Sequence, residues 1–258
     1  QEVMDLAGVA HLAALKGSLP FINFFDGFRT SHEIQKVEVM DFDNFRKLID
    51  WDAVKAFRNR ALNPDAPEIR GTAENPDIYF QHTESRNRFY DAMPDIVADY
   101  MAQISEITGR TYKPFNYYGA ADAEYVVVSM GSLSDVVKKA VNYLNGKGEK
   151  VGSINVHLYR PFSAKHLLEV LPKTVKKIAV IDSTKEPGSL GEPLYLDIVD
   201  FVKEQGLNID VIGGRAGLGS KDVIPEDVIP VFEEVKKENP INGFTIGIVD
   251  DVTNLSLP

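Results

Sequence analysis

A carboxylate, a guanidinium, two hydroxyls and an imidazole stand close together at Asp26, Arg29, Thr30, Ser31 and His32. They follow an apolar run, 20–25, that leads into the turn signal Asp26-Gly27. The spacing predicts a buried strand with this cluster at its carboxyl edge, the active-site edge of an open sheet. Such a set has the chemistry to bind an oxoacid or to fix a partner loop. It reads equally as a helix start among solvated charges, because Thr30-Ser-His-Glu33 fits the S/T-x-x-E capping box.

Two weaker candidates concern anions. Gly213-Gly214-Arg215-Ala216-Gly217-Leu-Gly219 is glycine-dense, and Arg215 and Lys221 beside flexible backbone have the charge to hold an anion. The same stretch reads as a wide turn. Met130-Gly131-Ser132 joins a strand to a helix, where amides at a helix N-terminus accept anions, although every α/β domain has such turns. The loop Lys185-Glu-Pro-Gly188-Ser-Leu-Gly191-Glu-Pro193 holds no nucleophile or base pair and reads better as a subunit contact than as a site lip. His11, His82, His157 and His166 lack partners at ligand spacing and read as structural or exposed residues. No metal site is expected. Phosphate-loop, zincin, nucleophile-elbow and EF-hand patterns are absent.

The elements that would position these residues change character along the chain. Helical periodicity covers 3–15, with Gly17 as a stop, then 43–49 and 52–62. Residues 37–40 alternate like a strand. Proline and glycine break the pattern over 63–78, which reads as an extended linker. A long helix is expected over 85–108, kinked or broken at Pro94. From 118 the chain alternates regularly. Strands are expected at 125–130, 151–158, 177–181, 209–212 and 244–249. Helices are expected at 135–144, 164–171 with Ser163 as N-cap, 194–203 and 226–237. This pattern predicts an α/β fold with a mostly parallel sheet and helices on both faces.

Of the 258 residues, 38 are acidic and 28 basic, a formal net charge of -10. That balance argues against nucleic acid and anionic membranes as partners. The chain has no cysteine, so it supplies no disulfide, thiolate nucleophile or cysteine-ligated cluster. No apolar run is long enough to span a bilayer and no signal peptide is visible, which makes a cytoplasmic protein the expectation. Gln1 opens a helix already in progress, and Pro258 follows an apolar run. Both ends read as cuts through a longer polypeptide, and the first helix is expected to fray for want of packing partners.

The run Phe21-Ile-Asn-Phe-Phe25-Asp-Gly-Phe-Arg-Thr30-Ser-His-Glu-Ile-Gln35 resembles the end of the first domain of the pyruvate:ferredoxin (flavodoxin) oxidoreductases. The resemblance continues in order through Arg70-Gly-Thr-Ala, Asn75-Pro-Asp-Ile-Tyr-Phe80-Gln, Val128-Ser-Met-Gly131-Ser, Tyr159-Arg-Pro-Phe162, Lys185-Glu-Pro-Gly188, Gly191-Glu-Pro-Leu-Tyr195, Gly214-Arg-Ala-Gly-Leu-Gly-Ser-Lys221 and Asp250-Asp-Val-Thr253. One departure is Ala216, where the family usually carries an aromatic residue.

The resemblance implies a multidomain parent that oxidatively decarboxylates pyruvate, forms acetyl-coenzyme A and reduces ferredoxin or flavodoxin. It implies thiamine diphosphate, magnesium and iron–sulfur clusters in that parent, and a homodimer. It implies four parts here: 1–62, a remnant of the thiamine-pyrimidine-side domain; 63–117, linker and helical connection; 118–242, a transketolase C-terminal-like (Rossmann-like) domain; and 243–258, a strand toward a third domain. The family's Gly-Asp-Gly thiamine motif is missing, so no catalytic residue is carried over and no cofactor is expected on this segment. The segment is then a scaffold, inactive alone. The alternatives are a coenzyme A-binding module or a piece of another 2-oxoacid oxidoreductase of the thiamine diphosphate superfamily.

Overall fold

A computed structural model describes residues 1–69, 71 and 73–258. Arg70 and Thr72, which belong to one of the blocks above, lie outside the described residues. The chain forms two compact units, one of residues 1–24 and 35–114 and one of residues 25–34 and 115–258.

The first unit is helical. Helix α1 (Glu2–Gly17) buries Asp5, Val9, Leu12 and Ala13, a spacing that keeps them on one stripe. The stripe packs on α6 (Asn87–Thr108), whose buried face runs through Met93, Pro94, Val97, Tyr100, Met101 and Ile104. Asp5 is buried and accepts hydrogen bonds from Tyr112 Oη at 2.6 Å and Arg110 Nε at 2.7 Å. Helix α1 is therefore docked, and the expectation of lost packing partners fails for it. The left-handed residue that ends it is Ser18, one position beyond the expected glycine. Gly17 instead makes room for Met93, whose methyl would lie 2.2 Å from an added Cβ.

Pro94 does not split α6. The proline removes one backbone donor, but its ring and its neighbours Met93 and Val97 are buried against other side chains, which offsets the loss. Much of 63–117 is thus not a connection but the core partner of α1. The short helices α3 (Phe42–Leu48) and α4 (Trp51–Asn59) start at Asp41 and Asp50, whose carboxylates accept the amides of Asp43 and Ala53. Helix α5 (Tyr79–Glu84) precedes α6 as a separate turn and a half. Residues 20–25 and 37–40, read as strands, form no strand and make no strand pairing. Ile22 is 85% exposed, so the apolar run at 20–25 has no sheet to enter.

The second unit is a six-stranded sheet ordered β1-β3-β2-β4-β5-β6. The strands are β1 (Phe115–Gly119), β2 (Tyr125–Ser129), β3 (Val151–Val156), β4 (Lys177–Asp182), β5 (Asp210–Arg215) and β6 (Phe244–Thr245). All pairs are parallel except β1, which lies antiparallel on β3. Alternate residues feed two cores. Val127, Ala179 and Ile181 face α7 (Leu133–Gly146) and α10 (Pro225–Lys236). Val126, Val128, Ile178 and Val180 face α8 (Ala164–Val170) and α9 (Pro193–Glu204). The unit is a mostly parallel α/β sheet with helices on both faces, as its periodicity predicts. Ser163 caps α8 through the His166 amide.

Four details differ from the sequence reading. Strand β1 lies where no strand is expected. Strand β5 runs three residues further and takes Gly213 and Gly214 into the sheet. There they admit Tyr195 and Phe244, whose ring atoms would lie 2.7 and 2.1 Å from added Cβ atoms. Strand β6 stops after two residues, before Gly247 turns at a φ of 76°. Segment 243–258, expected to lead away, instead gives Phe244, Ile246 and Leu257 to the core.

Candidate functional site

Among the five parallel strands the order is β3-β2-β4-β5-β6, so chain direction across the sheet reverses between β2 and β4. Open α/β sheets receive ligands at the carboxyl ends of the strands flanking such a reversal. Here β2 leads through Met130-Gly131-Ser132 into α7, and β4 ends at Asp182. Asp182 is buried and accepts the amides of Leu194 and Tyr195, at 3.0 and 3.1 Å, which closes the start of α9. Burial pushes its carboxyl up to about 6, against the two amides that favour the ion and with Glu192 and Asp197 adding to the rise.

Segment 25–34 reaches this edge. The half-buried Asp26 accepts the Ser132 amide on Oδ2 at 2.7 Å. Gly131 permits the approach, since an added Cβ would lie 2.6 Å from that oxygen, and its φ of 65° favours glycine. Arg29 pairs with Asp222, an exposed contact of small energetic weight. Between the two anchors, α2 (Arg29–His32) is a single turn. Its N-cap is Phe28, with a φ of 54° and no side-chain cap, so the capping box expected from Thr30 and Glu33 does not form. Ser31 Oγ donates to the Phe28 carbonyl and His32 Nδ1 contacts the same oxygen. Thr30 is exposed. The structure thus joins Asp26 to Gly131 and Ser132, two candidates the sequence treated separately, and turns Ser31 and His32 back on their own turn.

Arg215 and Lys221 are not brought together. Arg215 lies between both oxygens of the buried Glu192, at 3.3 and 3.4 Å, and donates to the Gly243 carbonyl at 2.8 Å. With Lys185, Gly191, Tyr195 and Asn242 it lines a cavity of about 160 Å³ beyond β4 and β5. Lys221 follows the 3-10 turn Leu218–Ser220 and is exposed, outside this lining. Ala216 is buried in the core beneath the loop. Among the described residues no three histidines or carboxylates gather to hold a metal ion. The switch-point amide is engaged by Asp26. These residues do not fit a metal–diphosphate pair.

One buried polar chain escaped the sequence reading. Ser129 Oγ meets Ser134 Oγ at 3.1 Å, Ser134 Oγ donates to Asn155 at 2.9 Å, and Asn155 contacts His157 Nε2 at 2.9 Å. His157 Nδ1 then meets Asn116 at 3.1 Å. The β2–β3 register, with Ser129 opposite Asn155, creates the chain. Polar residues inside otherwise apolar strands were its only visible signal.

A family model described as pyruvate flavodoxin/ferredoxin oxidoreductase, thiamine diphosphate-binding, matches residues 1–102. A second, pyruvate:ferredoxin oxidoreductase core domain II, matches residues 123–228. The chain belongs to the pyruvate flavodoxin/ferredoxin oxidoreductase family. It is 57% identical to a pyruvate-flavodoxin oxidoreductase of Enterobacter agglomerans over 258 residues and 60% identical to a pyruvate:ferredoxin oxidoreductase of Moorella thermoacetica over 257. It covers 22% of either relative while they match all of it. A pyruvate dehydrogenase [NADP(+)] of Cryptosporidium parvum is 48% identical over 261 residues, with 14% of its length covered. In this family chain, Asp26 lies in the stretch matched by the first model and Ser132 in the stretch matched by the second.

Proposed function

We propose that this chain is the framework segment of an enzyme that oxidatively decarboxylates pyruvate, forms acetyl-coenzyme A and passes electrons to ferredoxin or flavodoxin. The supporting observation is collinear identity of 57–60% over the full chain with relatives bearing those names. The residues themselves support a framework role. Asp26, Arg215 and Asp182 are each committed to an internal partner. Thiamine diphosphate, magnesium, iron–sulfur clusters, the dimer partner and a cytoplasmic setting are assigned to the parent on the same basis. For the described residues, no helix is long and apolar enough to cross a membrane. Relatives named for flavodoxin, ferredoxin and NADP(+) share this segment, which supports a role upstream of the choice of electron acceptor.

The test is coenzyme A-dependent reduction of a viologen dye by the oxygen-free protein that carries this chain, with the 258-residue chain assayed beside it. Pyruvate-selective reduction with a silent chain is the expected result. Preference for a longer 2-oxoacid moves the assignment to a sister enzyme, and turnover by the chain itself overturns the framework role. The cavity beside Lys185 and Arg215 supports one second reading, a coenzyme A-binding module. Calorimetry showing no heat at millimolar coenzyme A removes it.

A further inference from the structure

The end of the second unit's sheet where ligands are received is met by the chain's own segment. We propose that residues 25–34 form a strap that occupies this edge in cis, with the Asp26 carboxylate standing where a ligand's anion would otherwise meet the first amides of α7. Three observations carry it. The strand order places the reversal between β2 and β4, and α7, a helix of 14 residues, begins there. A carboxylate from 106 residues away is seated on the Ser132 amide at 2.7 Å. The Gly131 cradle is shaped to it, since any Cβ there would fall within 2.6 Å of the seated oxygen.

The strap has a second anchor of opposite sign at Arg29, paired with Asp222 across 193 residues. Between the anchors Phe28 holds a φ of 54°, a conformation uncommon for a residue with a Cβ. The exposed Arg29–Asp222 pair adds little, so a segment carrying the strained Phe28 depends chiefly on the Asp26 contact. Tethering gives the Asp26 carboxylate a high effective concentration at the amide, so free anions do not displace it from the intact chain. Asp26 is a positioning residue in this account. Any ligand of the parent that needs this sheet edge must first release the strap.

The test reads amide hydrogen exchange in the 258-residue chain, with no turnover assay, so it stands or falls apart from the family function. In D26A the Ser132 amide is expected to exchange at least about 10-fold faster, and the strap amides with it, while β2 and β4 stay protected. R29A is expected to speed only the strap amides. Sodium acetate at about 100 mM should slow Ser132 exchange in D26A, with the same concentration of chloride inactive and the wild type unaffected. Unchanged Ser132 exchange in D26A overturns the proposal. So does a D26A chain whose exchange acetate leaves untouched, because the edge then does not receive a carboxylate. If D26A loses strand protection as a whole, D26L keeps side-chain bulk without an acceptor and decides: faster Ser132 exchange supports the strap, and wild-type exchange removes it.

Discussion

At the scale of single residues the most informative group is Asp182. Its carboxyl, pushed up to about 6 by burial, sits well above the value of an exposed aspartate. Between about pH 4 and pH 6 the folded chain keeps a proton that the unfolded chain has released, so this group's contribution to stability falls as pH rises through that window and is constant above it. Wild type should therefore lose on the order of 2 kcal/mol relative to D182N between pH 4 and pH 7, read as the difference between their thermal unfolding midpoints. A difference that stays level across the window shows Asp182 to be charged throughout. Other carboxylates cancel in the comparison, among them Asp122, held low by Lys150, and Asp250, held low by Thr253. Little of this was legible beforehand. Arg215 was singled out and Glu192 stood in a loop read as a contact, but Asp182 was passed over; only the β4–β5 register sets Asp182 opposite Arg215, whose guanidinium Glu192 meets. Asp26 and Ser132 were both singled out, yet nothing local joins residues 106 apart.

At the scale of elements, the helices and strands of the second unit were legible because their apolar periods are long and clean. The failures share a cause. An apolar run such as 20–25 has the composition of a strand, but a strand exists only where another strand pairs with it. Strand β1 was missed for the converse reason: Phe115–Gly119 is short and aromatic, and it becomes a strand because β3 offers an open edge. The glycines make the same point energetically. Alanine in place of glycine ordinarily stabilises a helix by about 1 kcal/mol. Gly146 closes α7 with nothing within 4 Å of a Cβ, so G146A should gain about 0.5–1 kcal/mol, read as slower exchange of the β2 amides. Gly8 lies in α1 with the Phe45 ring of α3 against it, where a Cβ would fall 1.9 Å from the ring. G8A should lose about 1–3 kcal/mol instead, seen as an earlier denaturant midpoint in the fluorescence of the single tryptophan, Trp51 of the first unit. A gain at both sites would mean that the Phe45 ring moves freely and that α3 does not hold α1.

For the whole molecule, the sequence told the architecture of the second unit but not how much of the first would be left uncovered. The first unit carries a set of large apolar side chains in water: Phe24, Phe42, Trp51, Phe57 and Phe80 are all more than half exposed, and Phe42 is 82% exposed. Hydropathy patterning could not reveal this, because the same residues would read as core in any fold that covered them. Exposure on this scale is what an interaction surface looks like. The net charge of -10 opposes contact between copies, and its reach shrinks from about 10 Å at 0.1 M salt to about 3 Å at 1 M. The chain should therefore self-associate more strongly as salt rises, the reverse of an ion-pair interface. Sedimentation velocity at about 5 to 100 µM should show mass increasing with concentration at about 0.5 M salt and less so at about 0.05 M, in keeping with apolar contact under charge repulsion. Glutamate at both Phe42 and Phe57 should shift the boundary back toward monomer at either salt. A monomeric boundary across the whole range would mean that these side chains cover one another in solution. Association that weakens with salt would place the contact on charged residues instead, away from the phenylalanines.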